Sequence, residues 1–448
     1  MHRSGNRVSF WSAVAMGIGS MIGAGIFALL GQAGVIAASA VYISFLVGGV
    51  IALLSGYSMG RLGARYPAAG GLVEYLVQGW GPGVFSGALS VMMYISAVVA
   101  VSLVARTFGS YAFALLPAGQ PRLWIEIFSG AIILVFMVIN LNGARAMSVT
   151  ENVVVLIKMT VLLIFAIAGL TYISPERLSP AHYPSMAMIF YSVAITFFAY
   201  EGFRVVTNVA EDMAEPARTL PRAIMTAILL VMIVYVAIAI AVFGNLDPAK
   251  VVAARDFALA EAARPVFGDF GFTVVAIAAL FATASAINAS LYAVTNVTYQ
   301  LAKLGELPSA FAQPIAHSRE GLVISSLIIA GLAIFFDLSS IAAIGAISML
   351  IIHATVHIGH LRILKETAAS PVLIVFAVLT NGAAVALGCY YLASTSPQVL
   401  VWISAFFILA FSVEILLRRI TGRIVQARTD AHSEAREGPH HLLKSGKV

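Results

Sequence analysis

The stretch Gly17–Gln32, GIGSMIGAGIFALLGQ, decides how this chain is read. It belongs to an apolar run at 11–32 long enough to cross a bilayer, yet it places Gly17, Gly19, Gly23 and Gly25 within nine residues. Each glycine in a helix interior costs about 1 kcal/mol relative to alanine. In hydrocarbon a backbone amide without a partner costs several kcal/mol. A weakened centre in a spanning helix therefore needs a reason. One is a backbone that opens at Ser20 to Gly23 and meets a ligand there. The other is a tight helix–helix contact, for which the four-residue spacing of Gly19 and Gly23 is suited.

The rest of the sequence sets the class. Of 448 residues, 60% are hydrophobic and 10% charged, against about 25% charged in an ordinary soluble protein. Apolar stretches of spanning length lie at 11–32, 36–60, 84–107, 123–141, 150–172, 185–209, 221–243, 270–301, 322–337, 339–361, 371–392 and 397–417. The expectation is an all-α membrane protein of twelve transmembrane helices, a single polytopic domain over 1–448. The first run, too long for a signal peptide and followed by further spans, reads as an uncleaved helix. With the N-terminus inside, nineteen of the 26 Lys and Arg fall on the inner side, six on the outer and one, Lys158, within a span. The positive-inside rule then places both termini in the cytoplasm, and the net charge of +6 reads as a topology signal rather than a nucleic-acid footprint. The basic tail at 418–448 reads as a solvated end. The single cysteine, Cys389, excludes an intramolecular disulfide. In the longest outer loop, Gly244 to Gly271, short helices over the outer mouth and a plain connector are equally compatible. Pro221 suits the first turn of the seventh helix.

A second span is interrupted as the first is. Helix 6, MIFYSVAITFFAYEGFRVVTNVAED from Met188 to Asp212, carries Glu201 and Gly202 near its middle. An acidic side chain there costs about 2.5–3.5 kcal/mol on insertion scales and requires a cavity or a partner. If helix 1 opens, it offers amides at Ala24 and Gly25; an opened helix 6 offers carbonyls around Phe198 to Glu201. Amides at a positive helix end attract a carboxylate and carbonyls attract an ammonium, so the pair holds both ends of an amino acid. Paired interrupted helices in corresponding positions of two halves point to a midplane binding site.

Lys158 lies about 8 Å inside the inner end of helix 5. It either snorkels to the interface or sets its ammonium beside carbonyls of helix 1 and a hydroxyl of helix 8. A desolvated lysine titrates readily and could couple a proton to transport. The hydroxyls of helix 8, among them Ser285, often only bond back to their own helix. His353 and His357, four apart, are a weak metal signal with no carboxylate nearby in sequence; no metal and no cofactor is expected.

At these residues the chain resembles the amino acid, polyamine and organocation transporter superfamily, and most closely its proton-coupled ApcT branch. The resemblance rests on GSMIGAGIF, RLGARYPAAGG, IKMTVLLIFAIAGL, YEGFRVVTNVAEDMAEPARTLPRAI and ASAINASLYAVTNVTYQLAKLGELP. It implies a LeuT-type fold: a five-helix repeat at about 11–172, a second inverted repeat at 185–361, interrupted helices 1 and 6, and helices 11 and 12 at 371–417. It also implies a substrate carboxylate on the amides of Ala24 and Gly25, an amine on the carbonyls of Met21, Phe198 and Glu201, and Lys158 contacting the Gly19 carbonyl and the Ser285 hydroxyl. Phe198 is then a candidate gate. The family usually carries a neutral residue at the position of Glu201. The acidic side chain could favour a cationic substrate, join proton coupling, or pair with Arg204. The expected function is secondary active uptake of amino acids with protons across a cell membrane, without enzymatic activity. A polyamine or organic-amine transporter, an exchanger, and a non-transporting amino acid sensor are the alternatives.

Overall fold

The computed structural model describes residues 8–68, 71–142, 147–304, 313–315 and 318–421. Residues 422–448 of the basic tail lie outside the described residues. The chain begins with α1 (Phe10–Ala37), α2 (Val41–Arg65), the short α3 (Leu72–Trp80), α4 (Val84–Ala114), α5 (Leu123–Leu141) and α6 (Met147–Thr171). A broken span follows: α7 (Met186–Tyr191), α8 (Val193–Tyr200) and a 3-10 helix over Glu201–Asp212. Next come α9 (Pro216–Asn245), the short α10 (Pro248–Ala253) and α11 (Ala258–Glu261), and α12 (Arg264–Leu304). A two-stranded antiparallel pair, β1 (Pro314–Ile315) and β2 (Ser318–Arg319), leads to α13 (Glu320–Phe335), α14 (Leu338–Arg362), α15 (Leu364–Thr367), α16 (Pro371–Thr395) and α17 (Pro397–Thr421).

Each of the twelve stretches anticipated from hydropathy carries helix, and among the described residues nine helices are long and apolar enough to cross a membrane. Asp337 separates α13 from α14 by capping the latter, its Oδ1 accepting from the Ser340 amide at 2.9 Å. The outer loop does form short helices, α10 and α11, and both pack on α1. Pro221 is not at a helix start, because α9 begins at Pro216, and that residue takes the first-turn position where a missing N–H is harmless.

The expectation of an interrupted first helix is corrected: α1 is a single α-helix from Phe10 to Ala37. Its glycines serve close packing instead. A Cβ on Gly17 would stand 3.0 Å from that of Ala227 on α9, and one on Gly23 would stand 2.9 Å from that of Ala286 on α12. One on Gly25 would collide with the Ala199 carbonyl and the Tyr235 hydroxyl. The propensity lost at each glycine is offset by the dispersion gained where helices approach without side chains between them.

The sixth span does change its winding, and at the expected residue. α8 ends at Tyr200 and the 3-10 helix begins at Glu201. Twelve residues is long for this geometry, which rarely exceeds three or four and marks hinges when found inside a span. A Cβ on Gly202 would stand 2.8 Å from the Cα of Met21 and closer still to the Met21 amide nitrogen, so only glycine lets the two backbones meet. Above the junction, α8 is fastened to α2: Thr196 Oγ1 donates to the Ser44 carbonyl at 2.7 Å and the Tyr200 hydroxyl to the Phe45 carbonyl at 2.9 Å. Below it, the Val8 amide donates to the Asp212 carbonyl at 3.0 Å and ties the residues just before α1 to the end of the 3-10 helix.

Gly202→Ala is therefore expected to lower the thermal midpoint of the detergent-solubilised protein, overpacking at such contacts costing about 1–3 kcal/mol. Gly382→Ala, where a Cβ meets nothing within 4 Å, is the control and should leave or raise it. Equal midpoints for the two variants would remove the close approach as a determinant of the fold.

Candidate functional site

Lys158 does not snorkel. Its side chain turns inward from α6, the residue is 3% exposed, and Nζ donates to the Gly19 carbonyl at 2.8 Å. That oxygen keeps a second lone pair when the first serves the helix, so a continuous α1 can still receive a cation. Ser285 is half-buried on α12, which packs along α6, and the adjoining Ala286 faces Gly23. Lys158 and the Ser285 stretch thus converge on the N-terminal half of α1, at Gly19 and Gly23.

The predicted carbonyl ligands lie just beyond. Met21 and Phe198 are buried, and the ring of Phe198 fills the space above Gly345 on α14, where a Cβ would stand 2.7 Å from Cε1. The Met21 carbonyl already has a partner, the hydroxyl of Tyr235 on α9, which donates to it at 2.7 Å. The same hydroxyl lies 3.4 Å from the Ala199 carbonyl. Sequence reading passed over Tyr235. The signal was a lone phenol in the apolar run MIVYVAIAI, since a buried tyrosine hydroxyl needs an acceptor. Ser20 is exposed and Gly202 partly so, whereas Gly23 and Gly25 are buried, so accessibility in this region ends between Ser20 and Met21. The amides of Ala24 and Gly25 belong to the unbroken α1.

Glu201 sits at the change of winding. A 3-10 helix has three residues per turn, so residues i and i+3 eclipse. This stacks Arg204 directly over Glu201, and its Nε lies 2.7 Å from Oε1. The second carboxylate oxygen lies 3.0 Å from His353 Nε2 on α14. Both approaches are too oblique for aligned hydrogen bonds; Arg204 meets the carboxylate as a charge partner and His353 stands beside it. Pairing with Arg204 was one of three readings of Glu201. The partnership with His353 was missed, because nothing in the spacing of His353 and His357 indicates which helix they face. Phe197 and Phe203 enclose the His353 ring edge-to-face at 5.2 and 5.8 Å between centroids. Among the described residues no group of three or more His, Cys, Asp and Glu could hold a metal ion.

The approach to this region from the Ala37 end of α1 is shut. Gln32 Nε2 on α1 donates to Asp256 Oδ1 at 2.8 Å, the Tyr111 hydroxyl on α4 donates to the Phe27 carbonyl at 3.3 Å, and Gly31 abuts the backbone of Arg255. A separate groove of about 300 Å3, lined by Leu46, Leu170, Met232, Ile233, Val236 and Ile240, is wholly apolar and lies between α2, α6 and α9, away from these groups.

The chain is 34% identical over 419 residues to the inner membrane transport protein YbaT of Escherichia coli, the match covering 93% of this chain and 97% of that one. It is 35% identical over 426 residues to the protein MJ0609 of Methanocaldococcus jannaschii, covering 94% and 98%. The serine/threonine exchanger SteT of Bacillus subtilis is 25% identical over 314 residues, covering 68% and 69%. The amino acid permease profile matches residues 8–413, and the chain belongs to that family.

Proposed function

We propose that this permease takes up amino acids together with protons by alternating access in a cell membrane, with twelve spans in two inverted five-helix repeats and both termini in the cytoplasm. The observation that carries the reading is Lys158, buried and donating to the Gly19 carbonyl at 2.8 Å. Leaving an ammonium in hydrocarbon costs about 2.5–3.5 kcal/mol on insertion scales. A buried amine also exchanges its proton readily when its environment changes. Proton loss would cancel the charge that holds α6 to α1, so protonation and the position of α1 are linked.

The substrate would enter against Ser20, Met21, Gly23, Ala24 and Gly25 of α1 and Phe198, Glu201 and Gly202 of the sixth span. Its amine would take the Met21 carbonyl from Tyr235, and its carboxylate would need α1 to open at Ala24 and Gly25, a change that Gly23 and Gly25 ease. With the outer contacts closed and Ser20 exposed, the described conformation is read as closed to the outside. Glu201 is already offset by Arg204 and His353, which argues against a pocket built to attract a cationic substrate and so against polyamines.

In proteoliposomes, a radiolabelled mixture of the twenty amino acids should accumulate when the outside is acidified and stop on adding a protonophore. Lys158→Ala should abolish the acid stimulation; a variant with the wild-type pH profile would remove the lysine from the mechanism. Glu201→Gln should lower the thermal midpoint yet leave the ranking of lysine, arginine and spermidine against neutral amino acids unchanged in competition. A shift in that ranking would restore the carboxylate as a substrate ligand.

A further inference from the structure

Three histidines lie on one face of α14, at 353, 357 and 360, each without exposed surface. Buried imidazoles in an apolar span are costly unless hydrogen-bonded, and two of these are bonded at both nitrogens. His357 Nε2 lies 3.0 Å from Ser55 Oγ and its Nδ1 2.9 Å from Ser58 Oγ, both on α2. His360 Nδ1 lies 2.8 Å from the same Ser58 Oγ, and its Nε2 2.8 Å from Thr367 Oγ1 on α15. Ser58 therefore bridges two imidazoles, and a hydroxyl can accept a proton from one while donating its own to the other. His353, one turn further along, stands edge-to-face with His357 at 6.0 Å between centroids and reaches Glu201 through Nε2. Its Nδ1 is buried without a hydrogen-bond partner among the described residues.

We propose that these groups form a proton relay along α14, joining its Arg362 end to the Glu201–Arg204 pair at the winding change of the sixth span. The relay rests on the proton-coupled reading above and adds a protonation site separate from Lys158. A proton arriving at His360 Nε2 beside Thr367 releases the Nδ1 proton to Ser58, which passes its own to His357 Nδ1. His357 then gives up its Nε2 proton toward His353 Nδ1, by a turn of its ring or through one water, the single step without a direct contact. His353 in turn releases its Nε2 proton to Glu201. Neutralised, Glu201 no longer holds Arg204, and the 3-10 winding that stacks the two loses its charge contact.

Of the charged and titratable groups on elements packed against α14, Arg61 of α2 faces His360 and Glu201 faces His353. Further groups on these elements are engaged elsewhere: Glu366 with the Tyr66 hydroxyl, Glu414 with Arg418, Glu74 with Gln78, Tyr57 with the Ser370 amide, Tyr94 with Ser325, Tyr111 with the Phe27 carbonyl, Tyr200 with the Phe45 carbonyl, and Arg362 over the Trp80 ring; Cys389 on α16 is a free thiol. Arg106 pairs with Glu126 at the far end of α4. Two serines and a threonine meeting two histidines exceed what packing of α2 on α14 requires, since each ring could have been an apolar residue of similar size.

The test uses the full chain in proteoliposomes loaded with a pH dye. Amino-acid-driven proton influx is compared with counterflow of the labelled twenty-amino-acid mixture at equal pH, which needs no net proton movement. Ser58→Ala and His357→Gln should each reduce proton influx by about ten-fold or more while counterflow stays within about two-fold, positioned proton transfer contributing at least that much. Ser58→Thr, which keeps the hydroxyl, should restore influx. Wild-type influx in Ser58→Ala and His357→Gln overturns the relay and leaves proton coupling standing. Influx and counterflow falling together in Ser58→Ala would identify Ser58 as a structural bridge and also overturn it. Wild-type protein with counterflow but no proton influx removes proton coupling itself, and the relay with it.

Discussion

Gly202 seats the 3-10 segment of the sixth span against the backbone of α1 at Ser20 and Met21, and the polar contacts of the site are arranged around that approach. Two backbones can meet so closely only where one of them carries no side chain at the contact, here at Gly202. Once they do, the carbonyls and amides of both spans lie within reach of the same small groups. The Tyr235 hydroxyl illustrates the result: it donates to Met21 on α1 and lies 3.4 Å from Ala199 on α8.

Hydrocarbon gives the ionisable groups no water, so each has found a partner within the protein. Lys158 takes a helix carbonyl, and Glu201 takes Arg204 and His353. Neither arrangement is the strongest the chemistry allows. The lysine shares an oxygen that also belongs to α1, and the carboxylate meets its partners obliquely. Contacts of moderate strength can be exchanged for others, as the proposed transport cycle would require. Stronger, aligned pairs at the same positions would fix one conformation.

The two ends of α1 differ in the same sense. Toward its Ala37 end, Gln32, Gly31 and Phe27 are tied to the Asp256 segment and α4. Toward its Phe10 end, exposure reaches Ser20. The polar chain on α14 runs from its Arg362 end to the same junction, so in the proposed cycle protons and substrate would act on one element, the 3-10 segment.

The positions of the spans, the change of winding at Glu201, the inward turn of Lys158 as one of two options, and the pairing of Glu201 with Arg204 were all legible in residue order. They depend on hydropathy over one helix length and on the cost of isolated charge, both local quantities. The glycines of α1 were not legible in this way, because a glycine weakens a helix and tightens a contact by the same missing Cβ; only the neighbours, Ala227, Ala286 and Ala199, decide which. The two roles of Tyr235 and His353 were likewise settled by tertiary structure. Their partners lie on helices distant in sequence, and the rotation of one helix about its axis is fixed by packing against the others rather than by its own residues.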